Sequence, residues 1–235
     1  MTRPRSLLGP LALVIGLVAC TPTGASGAPV ATDQATEPDP AAVATTWVDA
    51  LSGGDTDAAW MLLSEEARQA VGGREGFEAL GSALAEGWGA WAAADYRVRT
   101  IALADGRAGS GAVVLEGTRS AEGMTETTAA ALPYVGTHDG VRLEPFVGTV
   151  DWQVPDRDAA AVPASTPLAA YLPFAEEVVF ALDDRLVDAD IQGADGDQVL
   201  ASVVAGPLEP GEHVVTVIAS TAGGLVADAR LFAVK

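Results

Sequence analysis

From residue 41 onward the apolar positions follow two rhythms. In "AAVATTWVDALSGGDTDAAWMLLSEEARQAVGG", Val43, Trp47 and Leu51 stand four apart, on one stripe of a helix. Gly53-Gly54 stops that helix, and Asp55 is a good N-cap for the next. Trp60, Leu63 and Ala67 continue the stripe, and Ser64 is placed to cap a short helix ending at Gly72-Gly73. "REGFEALGSALAEGW" predicts a third helix carrying Phe77, Leu80 and Leu84; Gly76 and Gly81 weaken it, so packing must hold it. The period then shortens to two. In "DYRVRTIALADG", Tyr96 and Val98 alternate with Arg97 and Arg99, after which Ile101 and Leu103 take the opposite parity. Such a switch predicts a bulge that bends the sheet. Asp105-Gly106 reads as a hairpin turn, "GAVVLEGTR" pairs back, and "MTETTAAALPYV" and "VRLEPF" make another hairpin across "GTHDG".

Past a Pro/Ala-rich joint, "PDRDAAAVPASTP", come five strand-like runs: "EVVFAL", "RLVDADI", "QVLASVV", "HVVTVIAS" and "LVADARLFAV". Their short, regular spacing predicts a small sandwich. Helices followed by a bent antiparallel sheet make an α+β arrangement. The stretch "A..WVDALSGGDTDAAWMLLSEEAR" resembles the opening of the NTF2-like (cystatin-like) superfamily, and "DGVRLEPF" resembles its last strand. The resemblance spans about residues 40–150 and implies helices leading into a sheet that curls as a cone. "PLEPGEHVVTVIA" resembles the strand entry of bacterial immunoglobulin-like domains, with Leu208, Pro210, Gly211 and His213 in the matching places. That region has neither the paired cysteines nor the central tryptophan of antibody domains. At about 70 residues it is short beside the roughly 100 of that type, so it is expected to lack a strand or two and to lean on the first domain. The expected organisation is a leader over 1–19, a modified Cys20 and linker to 40, an NTF2-like domain over 41–154, a joint over 155–167 and an immunoglobulin-like sandwich over 168–235.

The first forty residues are different in kind. Arg3 and Arg5 precede the uncharged run "SLLGPLALVIGLVA", which is shorter than the roughly 20 apolar residues of a bilayer span and is interrupted by Gly9, Pro10 and Gly16. A basic start, a short apolar middle and small residues at its end describe an export signal. Leu17-Val18-Ala19-Cys20 resembles the lipobox of bacterial lipoproteins. The resemblance implies cleavage before Cys20, a diacylglycerol on its sulfur and, often, acylation of the new amino group. Two or three chains hold a protein on a membrane far better than one, since each buried CH₂ contributes about 0.8 kcal/mol. "TPTGASGAPVATDQATEPDP" then reads as a linker with a mean reach of about 25 Å as a coil, or up to about 60 Å if proline stiffens it. Cys20 is the single cysteine, so the exported part has no disulfide and apolar cores must hold it.

Removing Arg3 and Arg5 from the 13 Lys+Arg leaves 11 against 32 Asp+Glu, a net charge of −21. Such a surface repels phosphate backbones and anionic headgroups, which argues against nucleic acid and against peripheral membrane binding. The membrane is expected as a partner only through the lipid on Cys20, with an envelope protein or a wall polymer as the other partner. Neither His138, in a turn, nor His213, opening a strand, has a neighbouring Cys or His in sequence, so no metal and no cofactor is expected. Asp188, Asp190 and Gly193 follow the first places of a calcium loop, but Val199 stands where its glutamate belongs. A looser inter-strand site through Asp195 and Asp197 competes with a plain solvated turn. No serine sits in a nucleophile motif, and no catalytic residue is assigned. What is left is the hollow of the cone, with Trp88, Trp91, Tyr96, Glu116, Arg119 and Tyr134 as candidate lining. The composite expectation is an extracytoplasmic, lipid-anchored binding or scaffold module. The alternative is a small-ligand carrier or an isomerase- or dehydratase-like enzyme using that hollow. A weaker option is an accessory to wall synthesis.

Overall fold

A computed structural model describes residues 39–103, 109–121, 124–156, 161–183, 185–193, 197–204 and 206–235. Cys20 with its leader, the Asp105-Gly106 turn and Asp195 lie outside the described residues. Asp39 caps helix α1 (Pro40–Ser52) by accepting from the Ala41 amide, with Pro40 in the first turn where its missing N–H costs nothing. Asp55 caps α2 (Thr56–Met61) through the Ala58 amide, and Ser64 caps α3 (Glu65–Ala70) through the Ala67 amide. The expected third helix is two, α4 (Gly73–Ala79) and α5 (Gly81–Gly87), followed by a 3₁₀ turn over Gly89–Ala93. The break falls at Leu80, beside the weak helix former Gly81, and turns Leu80 out to 43% exposure while Phe77 and Leu84 stay buried.

The first sheet runs β1 (Asp95–Ala102), β2 (Gly111–Ala121), β3 (Met124–Thr137), β4 (Gly140–Leu143), antiparallel throughout and in chain order. Val113, Leu115, Leu132 and Tyr134 on one face pack with Trp47, Leu51, Leu63, Phe77 and Trp91 from the helical layer. The expected bulge in β1 is absent: Asp95 to Ala102 pair residue for residue with Thr118 to Gly111. The parity switch has another cause. Tyr96 and Val98 pack toward the helices, whereas Ile101 and Leu103 pack on the opposite face, against Ala112, Val114, Val214 and Ile218. The sheet is buried on both sides, so both parities of β1 carry apolar residues.

Eight more strands make two four-stranded sheets. One has the order β5 (Asp151–Val154), β6 (Leu168–Pro173), β10 (Gln198–Val203), β9 (Asp190–Gly193); the other has β12 (Gly224–Val234), β11 (Gly211–Thr221), β7 (Ala175–Leu182), β8 (Arg185–Asp188). Leu168, Leu172, Val199 and Val203 of one sheet share a buried core with Phe180, Leu182, Val215 and Val217 of the other, a sandwich-like arrangement. "RLVDADI" is not one strand, because the chain leaves one sheet after Asp188 and enters the other at Asp190. Two strands were not legible as such. β6 was missed, and β5, which falls inside the expected first domain, pairs with β6 and forms an edge of the sandwich. Within the expected joint, Val162 is buried, its amide donates to the Ala233 carbonyl, and its own carbonyl accepts from Lys235.

The two halves are joined through β11 and β12, with β12 packed against β3. Val215, Val217 and Ala219 face the sandwich core, while Val214 and Ile218 face Ala112, Val114, Ala129 and Ala131 of the first sheet. The alanines let the sheets approach closely. Glu144, 1% exposed after β4, accepts the Leu225 amide at 2.5 Å. The tight turn there depends on Gly224, whose φ of +128° disfavours other residues and whose added Cβ would lie 2.9 Å from the Glu144 carboxylate. Residues from Glu37 to Lys235 accordingly form one compact unit.

Candidate functional site

A cleft of about 490 Å³ opens where the end of the helical layer, the β2–β3 hairpin and β12 meet. Its floor is five consecutive residues of β3, Glu126 to Ala130. One wall is Gly87, Trp88 and Trp91 with Arg119; the other is Pro155, Asp156 and β12 from Asp228 to Phe232. The first wall is set by a close approach of backbones. Gly89 is buried against α1, and a Cβ there would sit 2.9 Å from the Ser52 nitrogen, so only glycine lets the 3₁₀ turn carry Trp88 and Trp91 so near the helix. Trp88 meets Trp47 edge-on at 5.6 Å, and Trp91 meets Tyr96 edge-on at 5.7 Å.

Arg119 is held from three sides. Its Nε and Nη2 donate to Glu126 Oε1 at 3.0 and 2.9 Å, its Nη1 donates to the Gly87 carbonyl at 2.9 Å, and its guanidinium lies 5.4 Å from the Trp91 ring centre. Such a fork on a carboxylate over an aromatic face is a fixed cation. Opposite it, Asp228 accepts a hydrogen bond from Trp152 Nε1 at 2.9 Å, across the open edge of the sandwich where β12 and β5 face each other. Burial pushes the Asp228 carboxyl above the usual carboxylate range; the bonds from Trp152 and the Ala229 amide and the charge of Arg230 pull it back only in part. Arg230 lies on the same face of β12, 3.9 Å from the Asp228 carboxylate, and its Nε is buried without a hydrogen bond.

Of the residues expected to line a hollow, Trp88, Trp91 and Arg119 do line this cleft, and three do not. Tyr134 is 3% exposed and belongs to the core beneath the helices, where Trp47, Phe77, Trp91, Leu115 and Leu132 fill the space. Glu116 sits on the other face of β2, bridging Arg97 at 2.5 Å and Arg99 at 3.1 Å. Tyr96 is half-buried behind Trp91. The cleft thus lies at the seam between sheets and not on the underside of the helices. Glu126, Asp228 and Arg230 were not anticipated. The available signal was an Asp and an Arg two apart in the otherwise apolar "LVADARLFAV".

The two histidines differ. His138 is 90% exposed in the β3–β4 turn, beside Asp139. His213 places Nδ1 2.9 Å from Asp183 Oδ2 and Nε2 2.8 Å from the Glu209 carbonyl, two acceptors that only an imidazolium satisfies with both nitrogens. Burial lowers its pKa, but the bond to Asp183, the bond to Glu209 and the Asp183 charge together raise it. Among the described residues no cluster of three His, Cys, Asp or Glu could hold a metal ion. No protein-family model matches the chain, and no curated protein matches its sequence.

Proposed function

We propose that the chain is an exported envelope protein, held to the membrane by lipid on Cys20 and acting as a non-enzymatic binding module whose ligand site is the seam cleft. The observation that carries this reading is the fixing of the cleft's charges before any ligand arrives: Arg119 on Glu126 and Gly87, Asp228 on Trp152. Side chains held that way spend little entropy on binding. Asp228 also keeps a carboxylate in a place where burial disfavours its charge, a cost to the fold that a binding role accounts for. The leader, the lipobox-like Leu17 to Cys20 and the Pro/Thr-rich linker support the tether.

In finer detail, helices on one face of a four-stranded antiparallel sheet support an NTF2-like fold for the first part, and the facing sheets support an immunoglobulin-like sandwich that begins at β5. A cleft of about 490 Å³ falls within the roughly 300–1,000 Å³ of small-molecule sites, which favours a carrier of small ligands as the second reading.

Two measurements test the proposal. In detergent phase partition of cell envelopes the wild-type chain enters the detergent phase and the Cys20→Ser chain the aqueous phase. A photo-crosslinking side chain at Thr128, on the cleft floor, captures a discrete envelope component, whereas the same side chain at the exposed Met61 does not. Detergent partition of the Cys20→Ser chain, or equal labelling from both positions, contradicts it.

A further inference from the structure

The floor of the cleft is an open strand edge. β3 pairs with β2 over Met124 to Tyr134, but with β4 only over Tyr134 to Thr137. Among the described residues, Glu126 to Ala130 therefore have a strand on one side only, and their other side lines the cleft. Half of the backbone N–H and C=O groups of such a strand point away from its one partner, a template for another extended chain. Natural folds blunt free edges with bulges, prolines or inward charges. This one is regular over eleven consecutive pairs and has no proline between Met124 and Leu132.

A cation lines the same cleft. Among the described residues the Arg230 side chain has no hydrogen bond, and its charged partner is Asp228, 3.9 Å away and itself engaged by Trp152. Its side chain is 30% exposed at the cleft wall, so its remaining donors can reach an incoming acceptor. Guanidinium recognises carboxylate best, because its planar fork matches two oxygens. Arg119, by contrast, is already committed to Glu126.

We propose that the cleft takes an extended peptide carrying a carboxylate, which adds to the free edge of β3 as a fifth strand of the first sheet and places its carboxylate on Arg230. This rests on the reading of the seam cleft as a binding site and names its ligand class. Main-chain hydrogen bonds to Glu126 through Ala130 would supply affinity. Arg230 would supply the choice of an acidic side chain or chain end. Trp88, half-buried at the opposite wall, would sense the occupant.

The test is a titration of the detergent-solubilised full chain with short synthetic peptides, followed by tryptophan fluorescence and calorimetry. The probes are acetyl-Ala-Val-Ala-Glu-Ala-amide, its Gln counterpart, acetyl-Ala-Val-Ala-Ala with a free carboxyl end, and the Glu peptide N-methylated at alternate residues. A charge-assisted hydrogen bond predicts about tenfold tighter binding of at least one carboxylate peptide over the Gln peptide. Which of the two binds better tells a side chain from a chain end as the source. Arg230→Gln removes the preference, Arg230→Lys restores part of it, and N-methylation abolishes binding. An unchanged preference in Arg230→Gln with native circular dichroism overturns the inference. So does equal binding of the N-methylated peptide, or saturation by free acetate as tight as by the peptides, which would make this an anion site without strand addition. The titration is independent of the membrane, so failure of the lipid tether leaves it standing, and its own failure leaves the tether intact.

Discussion

Replacing Ile218 by alanine probes the junction that gives the cleft its shape. Ile218 is 1% exposed on β11 and packs across the seam against Ala112, Val114, Ala129 and Ala131. The substitution deletes three carbons, worth about 2.4 kcal/mol at roughly 0.8 kcal/mol per buried group. The surrounding alanines have no side chain long enough to fill the hole, so a cavity term adds to this, and the total falls near the middle of the roughly 2–5 kcal/mol seen for such truncations. We expect about 3 kcal/mol, a large part of the 5–15 kcal/mol typical of a folded domain. The tryptophans make the consequence visible. Trp47, Trp60, Trp88 and Trp91 all lie in the helical layer, and Trp152 alone lies in the sandwich. In urea denaturation, tryptophan fluorescence therefore reports chiefly on the half that Ile218 does not belong to, while far-UV circular dichroism reports on both. If the shared interface couples the halves, both signals move together to lower urea in Ile218→Ala, with an unchanged slope. A fluorescence midpoint that stays in place while the dichroism shifts, or a loss below about 1 kcal/mol, refutes the coupling.

Other expectations follow from the titrating groups. His213 has a pKa raised by folding, so it stabilises the fold fully below the unfolded value of about 6.5 and loses that contribution as pH rises through its higher folded value. The melting temperature of His213→Gln should therefore lie furthest below wild type near pH 6, with the gap narrowing toward pH 8.5; a gap that widens with pH contradicts the bonding at Asp183 and Glu209. Asp228 has the opposite consequence. Its carboxyl is raised by burial, so its ionisation costs stability as pH climbs past the ordinary carboxylate value of about 3.9. Asp228→Asn still accepts from Trp152 and should melt higher than wild type at pH 7, converging with it near pH 4. Lower stability at pH 7 would show that the pair with Arg230 outweighs desolvation.

What the residue pattern revealed was mostly local. Asp55 and Ser64 were legible as caps because a side chain accepting an amide three residues on is a short-range event. β2, β3 and β4 were legible because hairpins alternate visibly. Tertiary partners were not. The opposite parities of Val98 and Ile101 recorded two buried faces, yet nothing in one strand says what covers it, and a bulge explained the letters equally well. β5 and β6 flank a Pro-rich stretch whose composition suggests a joint, and only their pairing with each other and with β10 makes them strands. The candidate site divides the same way. Trp88, Trp91 and Arg119 stood out as aromatic and basic residues in an acidic chain. Asp228 meets Trp152 across 76 positions, a distance at which spacing carries no signal.

The tether is the premise on which an envelope role rests, and intact mass spectrometry of the chain purified from its native membrane tests it most directly. The account predicts a polypeptide beginning at Cys20, heavier than its sequence by a diacylglycerol, with or without a further acyl group. A membrane-derived chain that retains residues 1–19, or an unmodified Cys20, contradicts it.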